Sequence, residues 1–168
     1  MDELTLLEER QSIRSFDTSK VIEDADLEKL LKAAILAPTG RNSQNLYFVL
    51  LKDQEKKKRI LSSLGIERNF YDAPYILFTF AKKEDPLDEL NVGAALENVY
   101  LEATDLGISA CWIHSVCPTL QSEKGKEVLK EELNLEGEIL PFDCMALGYL
   151  KGERPERREK VSHESKIL

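Results

Sequence analysis

A single domain mixing helices and strands is predicted by two observations. Stretches with apolar residues three and four apart alternate with short, almost wholly apolar runs, and Gly, Pro or Asn punctuates them. The 168 residues suffice for one sizeable hydrophobic core, and no linker, internal repeat or low-complexity tract divides the chain. One domain over residues 1–168, with one site, is therefore expected.

Leu4, Leu6, Leu7 and Ile13 predict a short first helix leading into Glu9-Arg10-Gln11-Ser12-Ile13-Arg14-Ser15-Phe16, with Phe16 turning back to the core. Asp24 is the expected N-cap of a second helix whose Leu27, Leu30, Leu31, Ala34 and Ile35 share a face, and Pro38 stops it. Tyr47 to Leu51 reads as a buried strand. Asp53 to Leu64 reads as a surface helix ended by Gly65, its Lys56 to Arg59 run forming a solvated face. Ala73-Pro74 introduces a second strand, Tyr75 to Phe80. The short Lys82 to Leu90 connection predicts an open pocket rather than a lid.

The helix from about Asp88 to Leu106 is apolar on a broad face, and Gly93-Ala94-Ala95 allows another helix to come close, as in a central helix facing a partner subunit. Gly107 ends it, and Ile108 to Ile113 follows as a third strand. A further helix from Pro118 or Thr119 to Leu133 and a last strand within Pro141 to Leu150 complete the order.

The formal net charge is −8, which argues against nucleic acid or an anionic membrane as a partner. No run approaches the ~18 apolar residues of a membrane span, and Met1-Asp2-Glu3 is the wrong start for a signal peptide, so a cytoplasmic protein is expected. Cys111, Cys117 and Cys144 lack zinc-site pairing, and His114 and His163 stand far apart, so no metal is expected.

Four stretches carry candidate chemistry. At helical spacing Arg10 and Arg14 share a face with Ser12 between them, which suits a phosphate gripped bidentately; pairing with Glu8, Glu9 or Asp17 on a solvated surface is the bland alternative. Thr39-Gly40-Arg41-Asn42-Ser43-Gln44 is a turn or a set of amides suited to the edge of a heteroaromatic ring. Trp112 suits either core packing or the wall of a flat ligand's pocket, and the tail from Arg154 to Lys160 is a second basic cluster.

Taken in order, the Arg-Ser-Arg start, the Ala-Pro-Thr-Gly-Arg-Asn-Ser-Gln loop, Ala73-Pro74, the Gly-Ile-Ser-Ala-Cys-Trp-Ile segment and the Leu-Gly-Tyr strand followed by arginines resemble the FMN-dependent nitroreductase family over nearly the whole chain. The resemblance implies an α+β fold with a central, mostly antiparallel sheet flanked by helices. It also implies a homodimer with FMN at the subunit interface, and electron transfer from NADH or NADPH to a small-molecule acceptor such as a nitroaromatic or quinone. By position Arg10, Gln11, Ser12 and Arg14 match the segment holding the phosphate and one flavin edge. Pro38, Thr39, Asn42 and Gln44 match a flavin-contacting loop from the other subunit. Cys111, Trp112 and Ile113 match the strand end near the isoalloxazine, and Arg157 or Arg158 a C-terminal phosphate contact.

Two positions depart from that pattern: Asn45-Leu46-Tyr47 replaces a proline and an aromatic, and His114 replaces a common glycine. Both are expected to alter the acceptor pocket. No Gly-x-Gly-x-x-Gly run marks a separate nicotinamide site, so a shared pocket and a ping-pong exchange are expected, with the flavin carrying the chemistry and no catalytic side chain. The alternative is a module that stores, senses or delivers FMN without useful turnover.

Overall fold

The computed structural model describes residues 1–157 and 165–167. In chain order the elements are α1 (Glu3–Glu9), β1 (Phe16–Asp17), α2 (Asp24–Ile35), β2 (Leu46–Leu51), α3 (Gln54–Leu64), β3 (Tyr75–Ala81), α4 (Asp88–Asp105), β4 (Ser109–Ile113), α5 (Cys117–Gln121), α6 (Glu123–Leu133) and β5 (Leu140–Leu150). The strands form one sheet in which every named pair is antiparallel. The α+β expectation holds. Among the described residues no helix is long and apolar enough to cross a membrane.

β5 is the spine. Its residues pair with β3 along one edge and with β4 along the other, while Tyr149 and Leu150 pair with β1. Because side chains alternate along a strand, β3 and β5 feed two cores. Ile76, Phe78, Phe80, Cys144 and Ala146 pack towards α3, α5 and α6 through Ile60, Leu120 and Leu129. Tyr75, Leu77, Met145 and Leu147 pack towards α2 and α4 through Leu30, Leu96 and Val99. Every residue of β3 is buried, as a strand covered on both faces must be.

Local chemistry explains most boundaries. Asp53 caps α3 by accepting the N–H groups of Glu55 and Lys56, both at 3.0 Å, and Gly65 ends it at φ 66°. Asp24 is not the cap of α2: Glu23 holds that position without a side-chain bond, and Asp24 instead pairs with Lys52 Nζ at 2.7 Å. The helix expected up to Leu133 is two. Ser122 is extended (ψ 157°) and its Oγ accepts the Gly125 N–H at 3.0 Å, so the chain breaks after α5 and restarts as α6. At Gly93 a Cβ would lie 3.5 Å from Trp112 Cη2, so within the chain the indole packs on this position.

Gly125 sits so close to α5 that a Cβ would stand 2.6 Å from the Leu120 carbonyl oxygen. Gly125→Ala should therefore cost about 1–3 kcal/mol through overpacking. A urea melt read by circular dichroism checks this, and an unchanged midpoint would show that α5 can simply move aside.

Candidate functional site

The arginine stretch is not helical where it matters. α1 stops at Glu9, Arg10 is its C-cap at ψ 124°, and the chain runs on extended, with Ser12 bridging Ala110 and the Ile13 N–H donating to the Ala110 carbonyl at 2.9 Å. Arg10 and Arg14 therefore do not share a face through a helical turn. They share one through the two-residue period of an extended segment, with Ser12 between them. Gln11 faces the other way, donating to the Pro155 carbonyl at 3.1 Å.

Tyr100, near the middle of α4, organises this face. Its ring lies 5.0 Å beneath the Arg10 guanidinium, its Oη is 3.0 Å from Ser12 Oγ, and it accepts the Trp112 backbone N–H at 2.7 Å. Burial pushes the Tyr100 phenol up, so it remains a neutral hydroxyl. Arg14 lies 5.9 Å over the ring of Tyr71, a residue held with Asp72 in the left-handed region at φ 52° and 59°. Burial raises the Cys111 thiol, and the positive charge of Arg14 draws it partly back.

On β4 the alternation separates the expected trio. Cys111 and Ile113 bury their side chains in the core, so only their backbone can meet a ligand, whereas Trp112 is half-buried on the opposite face. Asp143, on β5, accepts the Trp112 indole N–H at 2.6 Å on one oxygen and bonds His114 Nδ1 at 2.8 Å on the other.

The loop from Pro38 to Gln44 is a second cluster of polar groups. Arg41, Asn42 and Gln44 are all left-handed, at φ 54°, 51° and 46°, a backbone costly for side chains such as Arg and Gln. Thr39 Oγ1 accepts the Gln44 N–H at 3.1 Å, Gln44 Nε2 donates to Asn42 Oδ1 at 3.2 Å, and the Gly40 N–H donates to Asn91 Oδ1 at 2.8 Å. The loop borders a cavity of about 500 Å³ shared with Leu46, Phe48 and Ala95. Among the described residues Ser43 Oγ and Asn91 Nδ2 are buried without partners. Asn45 is a structural anchor instead, donating to Asp88 Oδ1 at 2.8 Å and to the Lys83 carbonyl at 2.7 Å.

Within one chain the two clusters rest at different heights on α4. The loop rests on Asn91 and the arginine face on Tyr100, which are roughly 13 Å apart along α4. From the C-terminal segment, Arg157 donates to the Leu7 carbonyl at 3.3 Å, while Arg154 bonds the Glu9 carbonyl and pairs with the Glu9 carboxylate at 3.2 Å. Arg158 lies outside the described residues.

Tyr100, Tyr71, Asp143 and Arg154 are not singled out by sequence reasoning. Two of them carry a signal: Tyr100 places a hydroxyl in the apolar stripe of a buried helix, and Asp143 a carboxylate in an apolar strand, and both need partners.

Comparison with known proteins agrees with this architecture. The model for the nitroreductase family matches residues 7–67 and 61–149. An Archaeoglobus fulgidus protein named for NADH dehydrogenase and NAD(P)H nitroreductase is 32% identical over 156 residues, covering 90% of this chain and 87% of that one. The Bacillus subtilis FMN reductase (NAD(P)H) is 29% identical, over 96% of this chain and 73% of that one. The crystal structure of a Bacteroides fragilis nitroreductase with bound FMN superposes with a TM-score of 0.86, over 100% of this chain and 99% of that one; at 22% identity it speaks for the fold alone. The family match spans most of the length, and the chain belongs to the nitroreductase family.

Proposed function

We propose that the protein is an FMN-dependent oxidoreductase that takes electrons from NADH or NADPH and passes them to small-molecule acceptors such as quinones or nitroaromatics, working as a homodimer. The observation that carries this reading is that one chain holds two unfinished halves of a site. An arginine and hydroxyl face rests on Tyr100 in the C-terminal half of α4, and a strained amide loop rests on Asn91 near its start. A second copy brings the halves together. Leu4, Leu7, Ile35, Leu36 and Leu90, all exposed large apolar residues, supply surface to bury in such a contact. The relatives' names, FMN reductase and NAD(P)H nitroreductase, support the cofactor and reductant.

In this reading Arg10 and Arg14 pair with the FMN phosphate and the electron-rich edge of the ring, with the Ser12 hydroxyl donating beside them. Tyr100 and Tyr71 hold the two guanidinium groups by stacking. Thr39, Asn42 and Gln44, with Pro38 shaping the loop, bond the flavin edge from the second copy; Cys111 and Ile113 act through their backbone, and Trp112 forms a wall. Gln11 serves indirectly by fastening the C-terminal segment. Arg157 becomes a phosphate contact by releasing the Leu7 carbonyl. When bound, FMN supplies the two-electron chemistry. The nicotinamide and the acceptor use one pocket in turn, which gives ping-pong kinetics.

Mixing the FMN-loaded protein anaerobically with NADH or NADPH should bleach the flavin absorbance, and a quinone should restore it. Failure of both nucleotides overturns the reductase reading, and bleaching without turnover on any acceptor would indicate a storage or delivery module. Arg10→Ala and Arg14→Ala should weaken FMN binding about 10- to 100-fold, the value of a charge-assisted hydrogen bond, while leaving the melting temperature near that of the parent. Fluorescence titration with FMN measures the loss. Sedimentation should find two copies per particle; a monomer that binds FMN at full strength would reject the shared site.

A further inference from the structure

His114 differs from the rest of the site in being both anchored and free. Its side chain is 82% exposed, yet Nδ1 is fixed at 2.8 Å from Asp143 Oδ1. A carboxylate only accepts, so the Nδ1 proton points at Asp143 and Nε2 faces outward. Among the described residues Nε2 has no hydrogen-bond partner. Asp143 is itself held: its side chain is 13% exposed, and its other oxygen takes the Trp112 indole N–H at 2.6 Å. The indole in turn packs against α4 at Gly93. The imidazole is therefore aimed through a chain of fixed groups rather than left to wander on the surface.

Its place in the fold gives that aim a purpose. His114 directly follows β4, whose Trp112 backbone is tied to Tyr100 and so to Ser12 and Arg10. We propose that His114, oriented by Asp143, is the proton donor to the electron acceptor. This rests on the flavin reading above and assigns a catalytic side chain to a site whose sequence offered none. With a quinone the balance is simple. Hydride leaves the reduced flavin and forms an O–H bond at one quinone oxygen, and the Nε2–H bond breaks as the proton passes to the other oxygen. The product is a hydroquinone. The neutral imidazole then regains its proton from water, which its exposure permits.

The titratable groups around His114 are few. Asp143 faces it from β5, and Cys117 lies beside Asp143 at the start of α5, with the charge of Glu89 on α4 acting on that thiol. Burial, reinforced by Asp143, pushes Cys117 up to about 11, so the thiol does not titrate near neutrality.

Trp112 is the only tryptophan, so its emission reports on Asp143 and its partners. In the full-length protein, with and without FMN, His114→Gln should shift that emission, because Asp143 loses the partner on its other oxygen. An emission unchanged in His114→Gln would break the proposed coupling. In stopped-flow with FMN-loaded protein, His114→Gln should affect reduction by the nicotinamide nucleotide less than it affects reoxidation. It should slow reoxidation by a quinone about 10- to 100-fold, the low end for a general acid because water competes at an exposed position. Asp143→Asn, which keeps an acceptor oxygen for the imidazole, should retain part of the rate. Equal reoxidation of parent and His114→Gln at every pH overturns the proposal while leaving the reductase intact; failure of nucleotide reduction in the parent overturns the reductase reading instead.

Discussion

The constraint on which the structure depends is that β5 is paired on both edges and covered on both faces. A strand so placed has to be apolar nearly throughout, and Cys144, Met145, Ala146 and Leu147 comply with essentially no exposure. Asp143 breaks that rule at the point where the strand passes beneath Trp112 and His114. A carboxylate in such a position is tolerable only when its oxygens are bonded, because an unpaired one would lose the hydration it has in the unfolded chain. The indole N–H and the imidazole answer that need. The requirement that secures the core thus also fixes the orientation of two aromatic side chains at the end of β4.

The same economy applies on α4. Tyr100 is nearly buried in the stripe that packs on the sheet, yet its hydroxyl reaches both the extended Ser12 and the backbone of Trp112. The segment from Arg10 to Arg14 is held besides by its bridge to Ala110, by contacts with the C-terminal segment, and by Arg10 Nε standing 3.5 Å from the Glu97 carboxylate of α4. The phenol adds a second fastening to the central helix. Stacking on Tyr100 and Tyr71 holds the two guanidinium groups, and Glu97 takes one side of the Arg10 fork.

Much of this is legible in the sequence, and what is not has a physical reason. The alternation of helices and strands can be read because period and punctuation are local; Asp53 and Gly65 bound α3 through their own side chains and backbone. The break at Ser122 is less visible, since Leu120 and Leu129 keep an apolar spacing on both sides of it and the cap is a single hydroxyl. That Arg10, Ser12 and Arg14 share a side can be inferred, but for the wrong geometry, because residues four apart coincide in both a helix and an extended chain. Asp24 resembles a cap because acidic residues favour first turns generally; Lys52, distant in sequence, claims it. Partners supplied by tertiary packing, such as Tyr71 for Arg14 or Asp143 for His114, leave no local periodicity to read.

The loop from Pro38 to Gln44 carries local strain that its own bonds leave in place. Left-handed Arg41, Asn42 and Gln44 each cost on the order of 1–3 kcal/mol, and the bonds from Thr39 and Asn91 hold the loop without removing that strain. A chain with only its own stability to serve would relax such a segment, or place glycine in it. Buried Ser43 Oγ and Asn91 Nδ2, unpartnered among the described residues, add a further cost in the same place. In the proposed dimer, a ligand bridging the loop of one copy and the arginine face of another would offset the strain of the loop with polar contacts.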